Sequence, residues 1–207
     1  MLITNSEIRA KARMKLAGNW ATAIGITLLL AVIANAAGGS AYIFPFIGGV
    51  FSLFINSAVY MGTIIFCLNL LETNKAVFMD GFKGFEYILK ATGAVALTSM
   101  FIFLWSLLLV IPGIIKSYSY SQTLYILAEN PDMKIMDAIY ESRRMMNGAK
   151  GKLFILHLSF IGWFLLSVIT FGVGFLWLIP YFSVSMAAFY LYIKDNFEDI
   201  EWIKEEY

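Results

Sequence analysis

Apolar residues in this chain fall in long blocks, without the three-and-four spacing of an amphipathic helix or the alternation of a half-buried strand. The blocks run over 17–37, 44–71, 87–111, 113–128, 153–170 and 175–193. About 20 apolar residues span the hydrocarbon core of a bilayer as a helix, so each block reads as one crossing. The third and fourth blocks form a single stretch of roughly 40 residues, enough for two crossings and too long for one. The pattern predicts an all-α membrane protein with six transmembrane helices in one integral membrane domain, residues 1–207.

Between the blocks lie short polar segments of helical character: "NSEIRAKARMKLAG", "MDGFKGFEYILK" and "MDAIYESRRMMNGAKGK". Each precedes an odd-numbered span. Pro45, Pro112 and Pro180 recur 67 and 68 residues apart, each at or near the outer end of an even-numbered span. The unit is a surface helix, a crossing outward, a tight outer turn and a proline-marked return. Three copies in one orientation predict three parallel-repeat helical hairpins around an axis along the membrane normal.

The polar segments predict juxtamembrane helices at 5–16 and 131–147. In the second, Asn130 would cap, Pro131 would take the first position and Gly148 would stop the helix. Met133, Met136, Ile139, Tyr140 and Met146 recur at helical spacing. They form a face that either lies in the headgroup region or packs on the bundle. The start of the chain, a basic segment, an apolar run and Ala34-Asn35-Ala36, also mimics a cleavable signal. We expect the first span to be retained, because it completes the repeat.

Charge orients the bundle. Fourteen of the fifteen Lys and Arg lie on one side of the six-span arrangement, and the connections near 38–43, 104–113 and 171–174 carry none. The positive-inside rule then places both termini in the cytoplasm and the protein in the cell membrane as a multi-pass protein. Charged residues make up 14% of the chain against roughly a quarter in soluble domains. The net charge of +1 gives no reason to expect nucleic acid as a partner. The cations Arg9, Lys11, Arg13, Lys15, Arg143, Arg144, Lys150 and Lys152 border the spans and are candidates for contact with anionic lipid headgroups, at about 1 kcal/mol each.

Candidate chemistry is concentrated in "IIKSYSYSQT". Lys116 is the charged residue deepest within a block, where burial is costly without a partner or an exit to water. With the outer turn at Pro112-Gly113 it can snorkel outward. With the turn near Trp105-Ser106 it lies about 13 Å deep and needs protein or water around it. The polar residues at 116–123 run around the whole helix, so this span is enclosed by the others or lines a cavity. Lys116, Ser117, Ser119, Tyr120, Gln122 and Thr123 are the candidate ligand-binding set. Glu129 and His157 form a candidate polar pair at similar depth. Cys67, the sole cysteine, reads as a small buried apolar residue, and no cofactor or metal site is expected.

The stretch "FIFLWSLLLVIPGIIKSYSYSQTLYILAENPDMKIMDAIYESRRMMNGAKGKLFILHLSFIGWFLL" carries a resemblance, together with "EIRAKARMKLAGNW", "GFKGF" and "TFGVGFLWLIPYFSVSMAAFY". The chain resembles the bacterial membrane family catalogued as domain of unknown function 975, common in Gram-positive organisms. The resemblance implies multi-pass membrane location and no established activity or catalytic residues. A looser likeness is to the membrane domain attached to some glycerophosphoryl diester phosphodiesterases, whose "IPG" also precedes a basic residue and a polar helix. These 207 residues carry no phosphodiesterase domain, and that activity is not expected of them. No metalloprotease, nucleophile-elbow, phosphate-loop or dinucleotide motif is present. We expect a non-enzymatic accessory, scaffold or protective envelope protein that acts through lipids, a membrane protein partner or a homo-oligomer. The alternative is a small-solute transporter or channel built around Lys116.

Overall fold

Thr4 opens the first helix by exchanging hydrogen bonds with Glu7. Its hydroxyl accepts from the Glu7 amide at 3.3 Å, and the Glu7 carboxylate accepts the Thr4 amide in return, a capping box. The computed structural model describes residues 4–205, and these form helices without a strand. Helix α1 spans Asn5–Leu16, as the polar segment predicts, and buries Ile8, Ala12 and Leu16 at four-residue spacing. Its charged residues occupy the other faces.

Helices α2 (Trp20–Ile43) and α3 (Pro45–Thr73) form the first hairpin. Pro45 stands at the first position of α3, where its missing N–H costs nothing. Asn19 closes the base: its Nδ2 donates to the Asn74 carbonyl at 3.2 Å and its Oδ1 accepts the Ala76 amide at 3.1 Å. A 3-10 helix, Phe78–Phe85, then lies against α3 backbone to backbone. A Cβ on Gly62 would run into the Gly81 carbonyl, and one on Gly84 into the Ala58 carbonyl and the Gly62 amide. That close approach explains Gly84 of "GFKGF", while a Cβ on Gly81 would meet the Ile26 side chain of α2.

Helix α4 (Ile88–Leu108) ends at Leu109, whose extended backbone (φ −159°, ψ 143°) makes the second turn. The turn thus falls between the two placements open from sequence, and Pro112 and Gly113 lie inside the first turns of α5 (Val110–Tyr120). The expected span 113–128 is not continuous. It breaks at Ser121-Gln122 into α5 and the short α6 (Thr123–Glu129). The six expected crossings become five helical segments long and apolar enough to cross a membrane: 20–40, 45–73, 88–108, 150–169 and 175–197. Polar side chains cause the loss, because Ser and Thr hydroxyls compete for backbone carbonyls and dilute the apolar run.

The juxtamembrane helix α7 covers Ile135–Met145 and not 131–147. Lys134 precedes it in extended geometry, and Pro131 and Asp132 belong to a turn, so Asn130 is not its cap. Gly148 (φ 85°) does supply the expected stop. The helix packs on the bundle through Ala138, Ile139, Ser142, Met145 and Met146, while Met136 and Tyr140 stay exposed. Helices α8 (Lys150–Leu158) and α9 (Ile161–Ile169), joined by a turn at 159–160, together form the fifth expected span, and α10 covers Phe175–Glu205 with Pro180 inside it.

The packed core lies toward the charged end of the hairpins. Its largest fully buried side chains include Tyr190, Phe189, Leu16, Ile26, Met61 and Leu127. The hairpin turns are the reverse: Tyr42, Phe46, Leu108, Ile111, Ile169 and Phe171 are all strongly exposed. Helix α1 runs along α10, where Arg13 Nη1 donates to the Tyr181 hydroxyl at 3.4 Å.

Candidate polar centre at the break between α5 and α6

The polar segment of the fourth span is held by its own backbone and by one residue of α7. Ser117, Ser119, Ser121 and Thr123 donate to carbonyls three or four residues back, at 2.7–3.0 Å. Such bonds satisfy hydroxyls in an apolar setting but leave the amides at a helix break without acceptors. Ser142 supplies the acceptor. Its Oγ accepts the Gln122 amide at 3.2 Å and donates to the Ser119 carbonyl at 2.9 Å, with the residue 0% exposed. Ser119, Tyr120, Gln122 and Thr123 are buried, so four of the six candidate residues belong to the packed interior. Gln122 Nε2 donates to Ser121 Oγ at 2.8 Å, and Gln122 Oε1 is buried without a hydrogen-bond partner.

Lys116 turns away from this centre. Its ammonium stands 4.4 Å from the centre of the Trp105 ring, so the opposite arm of the hairpin supplies its partner. Ser117, Tyr118 and Ser121 face α8 and, with Ile114, Leu153 and His157, line a cavity of about 370 Å³. His157 Nδ1 lies 2.9 Å from the Leu153 carbonyl. A carbonyl only accepts, so Nδ1 carries the proton and Nε2 is left for other contacts. The ring sits edge-on to Tyr118 at 5.7 Å and tilted to Phe182 at 5.5 Å.

Glu129 and His157 have different partners. Glu129 Oε2 accepts from Tyr190 OH at 2.8 Å and from Lys194 Nζ at 2.6 Å, with Tyr190 stacked on Tyr125 at 5.3 Å. This carboxylate ties the end of α6 to α10.

The candidate headgroup cations divide in two. Arg9 donates to the Ser159 carbonyl, Arg13 bonds Tyr181, Arg144 covers the Tyr140 and Phe197 rings, and Lys152 lies 3.7 Å from the centre of the Tyr192 ring. These hold the base together. Lys11, Lys15, Arg143 and Lys150 have no ion-pair partner among the described residues. Lys83, in the 3-10 helix, has its pKa raised by its hydrogen bond to Asp80, at 2.7 Å. No group of three His, Cys, Asp or Glu side chains is gathered as metal ligands require among the described residues.

Sequence reasoning missed Ser142, Trp105 and Tyr190. Ser142 was detectable: it occupies the buried stripe of α7 with Ala138, Ile139, Met145 and Met146, an apolar face interrupted by one hydroxyl. Trp105 and Tyr190 had no comparable signal, since aromatics are common along both segments.

The described residues are helical, with five apolar segments long enough to cross a membrane and an interior in which hydroxyls bond backbone between and within helices. The chain belongs to the family described as protein of unknown function (DUF975), which it matches over residues 1–116 and 98–197. No curated protein and no solved structure matches it.

Proposed function

We propose that this protein is a non-enzymatic accessory or scaffold protein of the cell membrane, acting through lipid and protein partners, with its charged face and both termini toward the cytoplasm. The observation that supports this reading is the fate of the polar fourth segment. A solute path needs polar groups left free along a wet lumen. Here the hydroxyls bond their own helix, Ser142 fills the break, and Lys116 rests on Trp105. The segment therefore serves as an internal joint between α5, α6 and α7. The internal repeat gains support from the turns, where Gly113 meets Ser106 and Gly174 meets Ser167 at the same seven-residue spacing.

The cavity beside Ser117, Ser121 and His157 is the observation that favours the alternative, a small-solute transporter. Reconstitution separates the two. Proteoliposomes carrying the wild type should show the flux of empty vesicles across a broad solute panel, and Lys116→Ala should change nothing. Flux above background that is lost in Lys116→Ala would replace the scaffold reading by the transporter. Purification in mild detergent should retain stoichiometric partners or lipid. Repeated isolation as a lone, lipid-free protein would count against it.

A further inference from the structure

Two contacts set the depth of the second and third hairpins. Along α10, α1 runs antiparallel: Asn5 Nδ2 donates to the Lys152 carbonyl beside Tyr192, and Arg13 bonds Tyr181. Five ionisable side chains, Glu7, Arg9, Lys11, Arg13 and Lys15, thus flank α10 from Tyr192 to Tyr181. A twelve-residue helix with that charge does not enter hydrocarbon. The stretch of α10 between Tyr181 and Tyr192 therefore lies at headgroup level or on the aqueous side. From Tyr181 to the turn at Phe171 is ten residues, about 15 Å, half of the ~30 Å hydrocarbon core.

The second hairpin has the same limit. Ser142 brings the end of α7 against Ser119 and Gln122, which sets Arg143 beside α5. Lys116 lies three residues, under one helical turn, from the Ser119 carbonyl that Ser142 holds, and none of Lys116, Arg143 and Lys150 has a carboxylate partner among the described residues. Lys116 thus shares its level with cations from the charged end of the chain. The turn at Leu109 is seven residues further on, about 10 Å.

Both turns are built for hydrocarbon. No Asp, Glu, Lys or Arg occurs in 91–115 or 153–193. Phe171 is 100% exposed and held at φ 52°, a backbone region that bulky residues avoid, at the apex of the third turn. A strained, wholly exposed aromatic at an apex fits insertion into lipid better than contact with water.

We propose that the α4–α5 and α9–α10 hairpins enter the membrane tip first from the charged side and end inside the bilayer, with Lys116, Arg143 and Lys150 set among anionic phosphate headgroups around them. The hairpins are re-entrant prongs, and the two expected outer turns at Leu109 and Phe171 never reach the far surface. This rests on the membrane reading above and replaces two of its complete hairpin crossings by half-crossings.

Spin labels on single cysteines of the full-length protein, in a Cys67→Ser background, test it. Labels at Leu109→Cys and Phe171→Cys are compared with labels at the exposed mid-arm sites Met100→Cys and Ile161→Cys. The host is vesicles of phosphatidylcholine with phosphatidylglycerol. Collision with oxygen relative to a water-soluble nickel chelate should be several-fold higher at the two tips than at the mid-arm sites. Tips at headgroup depth with the mid-arms deepest would overturn the prongs and leave the membrane reading standing. Labels that all stay in water would overturn both. A second measurement is independent of the tips: a short bis-maleimide should join Arg13→Cys to Tyr181→Cys in native membranes. Cross-linking absent while both cysteines react singly would also overturn the proposal.

Discussion

The hydroxyl oxygen of Ser142 lies 2.9 Å from the carbonyl of Ser119, twenty-three residues earlier in the chain. The same oxygen takes the Gln122 amide, so one side chain from α7 replaces the helical bonds lost where the fourth span breaks. A break buried in protein survives only with such a substitute, since an unpaired buried backbone group costs about 1–3 kcal/mol.

Ser142→Ala should therefore destabilise by about 1–3 kcal/mol, because it strands the Gln122 amide without creating space to hydrate it. In detergent the melting midpoint should fall by roughly 2–10 °C. Tyr140→Ala, exposed on the same helix, should leave the midpoint within about 1–2 °C. Equal midpoints for the wild type and Ser142→Ala would remove the joint.

Gly84→Ala should loosen the 3-10 helix from α3, at about 2–3 kcal/mol or more, since the added methyl meets backbone that cannot rotate away. Gly49→Ala, with open space around it in α3, should be neutral or stabilise by about 0.5–1 kcal/mol. Protease nicking between residues 74 and 87 distinguishes them: it should accelerate in the first variant and not in the second.

Glu129 accepts hydrogen bonds from both Tyr190 and Lys194 while largely buried. Glu129→Ala should cost about 2–3 kcal/mol and Glu129→Gln less, because the amide oxygen still accepts one of the two. The order Ala below Gln below wild type in thermal midpoint checks this. Equal loss in both variants would mean that the charge alone matters.

The cap of α1 titrates. Hydrogen bonds from the Thr4 amide and hydroxyl hold the Glu7 carboxylate below its ordinary value of 4.5. A lowered folded pKa stabilises the helix above the ordinary value, and that contribution is lost as pH falls through the folded value. Amide exchange in the first turn of α1 should speed up, after correction for intrinsic rates, between pH 6 and strongly acidic pH in the wild type. In Glu7→Gln the protection should be lower at pH 6 and show little of that dependence.

What the sequence determined about this protein is what periodicity and composition encode locally. Long apolar blocks specify helices, five of them long and apolar enough to cross a membrane among the described residues. Thr4 with Glu7 starts α1, Pro45 opens α3, and Gly148 ends α7, all through interactions within a few residues. The family resemblance was legible for the same reason, as ordered motifs along one chain.

The tertiary structure decided where polar groups find partners. Lys116 reads from sequence as an unpaired intramembrane charge until Trp105 folds back beneath it across the turn. Glu129 and His157 stand at similar apparent depth, yet Tyr190 and Lys194 take the first and aromatic rings enclose the second. Arg13 precedes the first apolar block and Tyr181 follows the last proline, two positions that block counting sets on opposite membrane faces. They touch, because α1 packs along α10. Hydropathy measures how much of a segment can enter lipid. Depth and partnership depend on which charged helix lies beside it, and that is a property of the packed chain alone.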